Sequence, residues 1–151
     1  MKVFFKKSIT ILLIFLCAIM LCVFMVSCAK PDKSIKNITL VIGQGDSQKI
    51  FSNYKTESEF LIDVLNELKD DNKITFTAVN SSYGAYLTEI NGITPSGDNS
   101  YIAILTTIGK YQDSTEYKVE KVYNDIVFVS SIVGVSDLKI IDGESYMIAL
   151  A

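Results

Sequence analysis

Histidine, tryptophan and arginine are missing from all 151 residues. Without histidine the chain has no side chain that ordinarily changes charge near neutral pH, which excludes histidine acid–base catalysis and histidine metal ligands. Without arginine it has no planar fork to clamp phosphate or carboxylate. Cysteine stops at position 28, so no disulfide can staple the remainder of the chain. Positive charge is scarce there too. Beyond position 28, eleven lysines face seventeen acidic residues, a net of −6, whereas a nucleic-acid binder shows a basic footprint. Hydrophobicity is present but unevenly spread. Residues 1–28 hold 22 of the apolar residues, and the 123 beyond them hold 52, about 42%, the ordinary share for a globular domain. That length supports one self-sufficient core, not two.

The N-terminus carries Lys2, Lys6 and Lys7, then an apolar run of 18 residues from position 9 to 26, broken only by Thr10. A positive end before a hydrophobic stretch is an export signal, although a run of this length also spans a bilayer as a retained anchor. Its end, Met25-Val26-Ser27-Cys28, resembles the bacterial lipoprotein signal, with Met25 in place of the usual leucine. That resemblance implies a lipid on the Cys28 thiol and cleavage just before it. It divides the chain into a signal peptide (1–27), a lipidated tether (28–36) and a folded domain (37–151). It also places the protein on the extracytoplasmic face of a bacterial cell membrane. Cys17 and Cys22 fall within the removed segment, which leaves Cys28 as the only mature cysteine.

Past the tether the pattern becomes strand-like. Ile38, Leu40 and Ile42 alternate with Thr39 and Val41, a period of two. The 43–46 turn and a second strand over 48–54 complete a hairpin. Thr56 and Glu59 have the spacing of a capping box, and it opens a helix over 57–70. Phe60, Leu61, Val64, Leu65 and Leu68 form that helix's apolar stripe, opposite Asp63, Asn66, Glu67 and Asp70. Strands are expected over 74–79, 85–90, 101–108, 117–123, 126–130, 138–141 and 146–150, with Asn91-Gly92 a strong tight turn. A single amphipathic helix has to bury its stripe on one face of a mixed sheet, so the expected class is α+β, two layers, in the manner of a β-grasp.

The stretch Tyr83-Gly84-Ala85-Tyr86-Leu87-Thr88-Glu89-Ile90-Asn91-Gly92 and the closing Leu138-Lys139-Ile140-Ile141-Asp142-Gly143-Glu144 resemble a specific family. It is the transcobalamin-like C-terminal domain, a β-grasp module of bacterial surface lipoproteins of largely unknown function. The resemblance covers residues 38–150. The family's Tyr-Trp pair is replaced here by Tyr101-Ile102. In the animal carriers the similar domain closes over one face of a cobalamin while a separate helical domain holds the other. The resemblance therefore implies half a clamp, with cobalamin a candidate ligand.

Catalytic chemistry is not expected. Ser81-Ser82 and Ser130-Ser131 are turn and strand-end serines, and Asp70-Asp71 and Asp98 lack the alternating spacing of a calcium loop. No metal site is expected. Eight tyrosines remain, and tyrosine combines a rigid apolar face with a hydroxyl suited to ligands, although it also packs well in sheets. Tyr83, Tyr86 and Tyr101 are the candidate ligand-binding residues, since they lie where the carrier domain meets its ligand. Three readings remain: a non-catalytic binding module for a small molecule or surface ligand, a cobalamin-type tetrapyrrole binder working with a partner domain, and a structural or interaction lipoprotein of the envelope.

Overall fold

Strand β1 (Lys36–Ile42) sends Ile38, Leu40 and Ile42 to one face and Val41 to the other, all nearly inaccessible to solvent. The computed structural model describes residues 34–43, 45, 48–82 and 84–151. The signal, the Cys28 lipid site, most of the tether and Tyr83 lie outside the described residues. No helix among the described residues is long and apolar enough to cross a membrane.

Strand β1 turns back into β2 (Lys49–Thr56), as the period-two pattern predicts, with a bulge between Ile38 and Leu40. Helix α1 (Leu61–Asp70) follows, then β3 (Phe76–Ser81) and β4 (Gly84–Ile90). Next come β5 (Ile102–Thr106), β6 (Glu120–Tyr123), β7 (Ile126–Ser130) and β8 (Ser145–Leu150). Six strands make one sheet in the order β2-β1-β8-β5-β7-β6, while β3 and β4 pair separately. The sheet is mixed, because β8 runs parallel to β1 and antiparallel to β5. The architecture is mostly β with one α-helix among the described residues.

The pleat gives the sheet two buried clusters, one on each face. Ile38, Leu40, Ile42, Ile102, Tyr146 and Ile148 share one face with Leu61, Val64, Leu65 and Leu68 of α1, and Phe76, Leu87 and Ile90 of the β3–β4 hairpin join them. On the other face Val41, Ala103, Leu105, Phe128, Met147 and Ala149 form a second buried cluster. Strand β8 is thus buried on both sides, which suits a central strand with a parallel neighbour. Its continuous apolar run results from that position.

Two expectations are corrected. The helix starts at Leu61, not at 57, and no side chain caps it. The N–H groups of Leu61 and Ile62 donate instead to the carbonyls of Leu138 (2.9 Å) and Val135 (3.0 Å). A helix needs partners for its first amides, and main-chain carbonyls serve as well as a capping hydroxyl. Glu59, freed from capping, pairs with Lys139. The second correction arises from the same contact. Residues 138–141 are not a strand of the sheet; Lys139 makes a lone bridge with Phe60, and Ile140 N–H donates to Glu59 carbonyl at 2.8 Å. The segment clamps the start of α1, so its alternating residues serve a loop. Phe60, placed in the stripe by spacing, precedes the helix and stays half-buried.

Candidate functional site

Tyr101 stands just before β5 and is 41% exposed. It lines a cleft of about 290 Å³ together with Ile102, Ile104, Asp113, Tyr117 and Ile132. The cleft exists because β5 and β7 part company. Their ladder covers Leu105 with Ser130 and Thr106 with Val129, and Ser131 N–H reaches the Ile104 carbonyl at 2.8 Å. Beyond that the chain turns away, with Val133 N–H taken by the Ser131 hydroxyl at 3.2 Å. Tyr117 (82% exposed) and Ile132 (63% exposed) stand on its rim, large apolar groups that water does not favour. Asp113 contributes a carboxylate, whose Oδ1 accepts the Thr115 N–H at 2.8 Å.

Tyr86 lies elsewhere. It sits in β4 opposite Val79 of β3, and both point outward, 48% and 55% exposed. The pair makes an apolar patch on the hairpin's outer surface, and Tyr86 does not line the Tyr101 cleft. Gly84 starts β4 with φ +94, a backbone conformation that favours glycine. Ala85 N–H is fixed by the Ser136 hydroxyl at 3.0 Å, which anchors the start of β4 against the 134–138 loop. The Asn91-Gly92 turn forms as its sequence predicts, with Ile90 bridged to Ile93 and both turn residues at positive φ.

Tyr117 is a functional candidate that residue pattern alone does not single out. It is one of eight tyrosines, and its place on the cleft depends on how far β7 follows β5. A second hollow is lined by Ile35, Lys55, Thr56, Glu57 and Glu67. Its carboxylate is already engaged, since Glu67 accepts from Thr56, Ser58 and Tyr54. Burial, then the Glu67 charge, pushes the Tyr54 phenol up to about 12. Among the described residues no three acidic or cysteine side chains stand together to hold a metal ion.

No family model matches the sequence, and no curated protein matches it. Solved structures do match the fold. A presumed metal-binding protein from Ruminococcus gnavus ATCC 29149 superposes on 77% of this chain and 96% of its own, at 14% identity and a TM-score of 0.52. Haptocorrin in complex with Cbi superposes on 79% of this chain at 15% identity and a TM-score of 0.56. The fold is transcobalamin-like. The match spans 25% of haptocorrin's length, so a domain of this size corresponds to one part of that protein.

Proposed function

We propose that this chain is a lipid-anchored surface lipoprotein whose transcobalamin-like domain, a β-grasp, binds a small molecule or surface ligand without catalysing a reaction. The observation that carries the binding role is the exposed aromatic pair Tyr101 and Tyr117 on a cleft of a fold shared with haptocorrin in complex with Cbi. Binding sites are concave and combine apolar surface with orienting polar groups, and this cleft sets Tyr101, Tyr117 and Ile132 beside Asp113, Ser130 and Ser131. Tyr86, on the outer surface of the β3–β4 hairpin, offers a second, separate aromatic surface for a ligand. The lipid anchor rests on Met25-Val26-Ser27-Cys28 alone.

A cobalamin-type tetrapyrrole is the more specific alternative, supported by the same likeness. At about 290 Å³ the cleft cannot enclose a corrin ring, since pockets that enclose drug-sized ligands run from roughly 300 to 1,000 Å³. A flat ligand would lie across the tyrosine surface and need a partner domain above it. Mixing the purified chain with cobalamin and recording the visible spectrum tests this. A shift that saturates supports the tetrapyrrole; an unchanged spectrum with a hit from a metabolite screen leaves the general binding role and removes cobalamin.

A further inference from the structure

We propose that the open flank of β5 at Ile102 and Ile104 is a strand-addition site for an extended polypeptide segment with alternating apolar and basic side chains. The proposal deepens the binding role given above and rests on it for the use of the Tyr101 cleft.

Hydrogen bonds along β5 alternate in direction. Tyr101 and Ala151 exchange both main-chain hydrogen bonds, Ala151 N–H to Tyr101 carbonyl at 2.9 Å and the reverse at 3.5 Å. In an antiparallel ladder such pairs recur at every second residue. The in-register pairs Ala103 with Ala149 and Leu105 with Met147 are then also bonded toward β8. Ile102 and Ile104 must therefore aim their N–H and C=O groups away from β8, into the cleft that they line. The Ile104 carbonyl is satisfied there by Ser131 N–H. Continuation of the ladder would bring Val133 N–H to the Ile102 carbonyl, but the Ser131 hydroxyl takes that N–H instead. Ile104 N–H and both groups of Ile102 have no main-chain partner among the described residues.

These three groups face one way along an otherwise well-buried strand, with Ile102 only 5% exposed. Main-chain groups at this spacing specify another extended main chain, the mode of recognition in which a peptide adds to an unpaired sheet edge. A flat aromatic ligand would satisfy none of them. Side-chain preference comes from the walls: Tyr101, Tyr117 and Ile132 offer apolar surface to alternate residues of an added strand. Charge complementarity decides the rest, since Asp113 lines the cleft and the chain beyond position 28 carries −6.

The test uses the full chain in detergent, a capped peptide of three Lys-Val repeats, the same peptide N-methylated at alternate residues, and an acidic analogue with Glu for Lys. Amide hydrogen exchange is read residue by residue. In the free protein the Ile102 and Ile104 amides should exchange about tenfold or more faster than those of Ala103 and Leu105. The Lys-Val peptide should slow them by at least about tenfold, the N-methylated peptide should not, and the acidic analogue should bind several times more weakly. Ile102 and Ile104 amides already as protected as Ala103, no protection from the peptide, or equal protection from its N-methylated form each overturn the proposal. Equal binding of the acidic analogue overturns its charge preference. A cobalamin spectral shift on the same preparation reads the small-molecule role separately: a shift without peptide protection sinks the strand site alone, and peptide protection without a shift sinks the tetrapyrrole alone.

Discussion

The Thr56 hydroxyl lies 2.8 Å from Oε2 of Glu67, eleven residues further along the chain. Ser58 Oγ donates to the other carboxylate oxygen at 2.6 Å, and Tyr54 Oη reaches the first at 3.3 Å. Three hydroxyls from β2 and the linker after it thus converge on one carboxylate of α1. The cluster ties the second half of the helix to the edge strand β2. Hydrogen bonds to a charged group contribute more than neutral ones. Glu67→Ala should therefore cost about 1–3 kcal/mol in a denaturant titration, because the hydroxyls lose their acceptor. A change near zero would mean that water replaces the carboxylate without loss.

Alkaline pH should weaken the fold through two phenols. Burial raises both Tyr54 and Tyr146 from 10.0 to about 12. Glu67 adds to the shift of Tyr54, while the hydrogen bond from Ile141 N–H acts the other way on Tyr146. Between these values the folded state holds protons that the unfolded state has released, so stability is intact below pH about 10 and is lost as pH rises toward about 12. The Tyr54→Phe, Tyr146→Phe double variant should show a flatter loss over that window than the parent, measured as the urea midpoint against pH. Identical slopes would show that these phenols keep their ordinary values.

Tyr146 also holds the segment that α1 starts on. Its hydroxyl donates to the Lys139 carbonyl at 3.0 Å and accepts the Ile141 N–H at 2.8 Å, with the ring fully buried. Tyr146→Phe alone should cost about 1–3 kcal/mol at neutral pH, since two main-chain groups lose a partner in a dry site. On the other side of the same core, Leu65→Ala should cost about 2–5 kcal/mol, as Leu65 is fully buried in the helix stripe.

These contacts show where local pattern was informative. Ile38, Leu40 and Ile42 are legible because one face of β1 meets the helix, and β7 spans the predicted 126–130 because a turn bounds it. Asn124 and Asp125 supply that turn at positive φ. Helix existence is legible from Leu61, Val64, Leu65 and Leu68, whereas its start is not. Thr56 and Glu59 have capping spacing, but the helix amides find carbonyls 73 and 77 residues away in the chain, at Val135 and Leu138. Residues 138–141 alternate like a strand and lose the sheet to that clamp. The pairing of β1 with β8 depends on residues more than a hundred positions apart, beyond any window of periodicity. Of the candidate site, Tyr86 and Tyr101 are exposed aromatics as their choice requires, yet they occupy different surfaces. Tyr117 joins Tyr101 only through tertiary structure.

The proposed membrane attachment is argued from the sequence before the described residues. Cys28→Ala should leave a full-length precursor that takes up no fatty-acid label in the bacterium. Gel mobility and a clickable palmitate probe read both effects. A processed, labelled Cys28→Ala chain would refute lipidation at this residue, and an unlabelled parent would favour the retained anchor that the 18-residue apolar run also allows.

The binding surface is tested by removing its aromatic groups while sparing the core. Tyr86→Ala and Tyr101→Ala alter none of the buried residues of the two clusters, and the far-ultraviolet spectrum of the triple variant with Tyr83→Ala checks that it folds before binding is read. Truncating an aromatic at a binding hot spot costs about 2 kcal/mol or more, enough to remove most affinity for a ligand found with the parent chain. Because Tyr86 and Tyr101 lie on separate surfaces, the single variants discriminate further. A loss confined to Tyr101→Ala and matched by Tyr117→Ala places the ligand in the cleft. A loss confined to Tyr86→Ala and matched by Val79→Ala places it on the hairpin face. Unchanged affinity in the triple variant would leave these tyrosines as sheet residues and move the site elsewhere, and the absence of any ligand in cobalamin, metabolite and peptide screens would favour an interaction lipoprotein of the envelope.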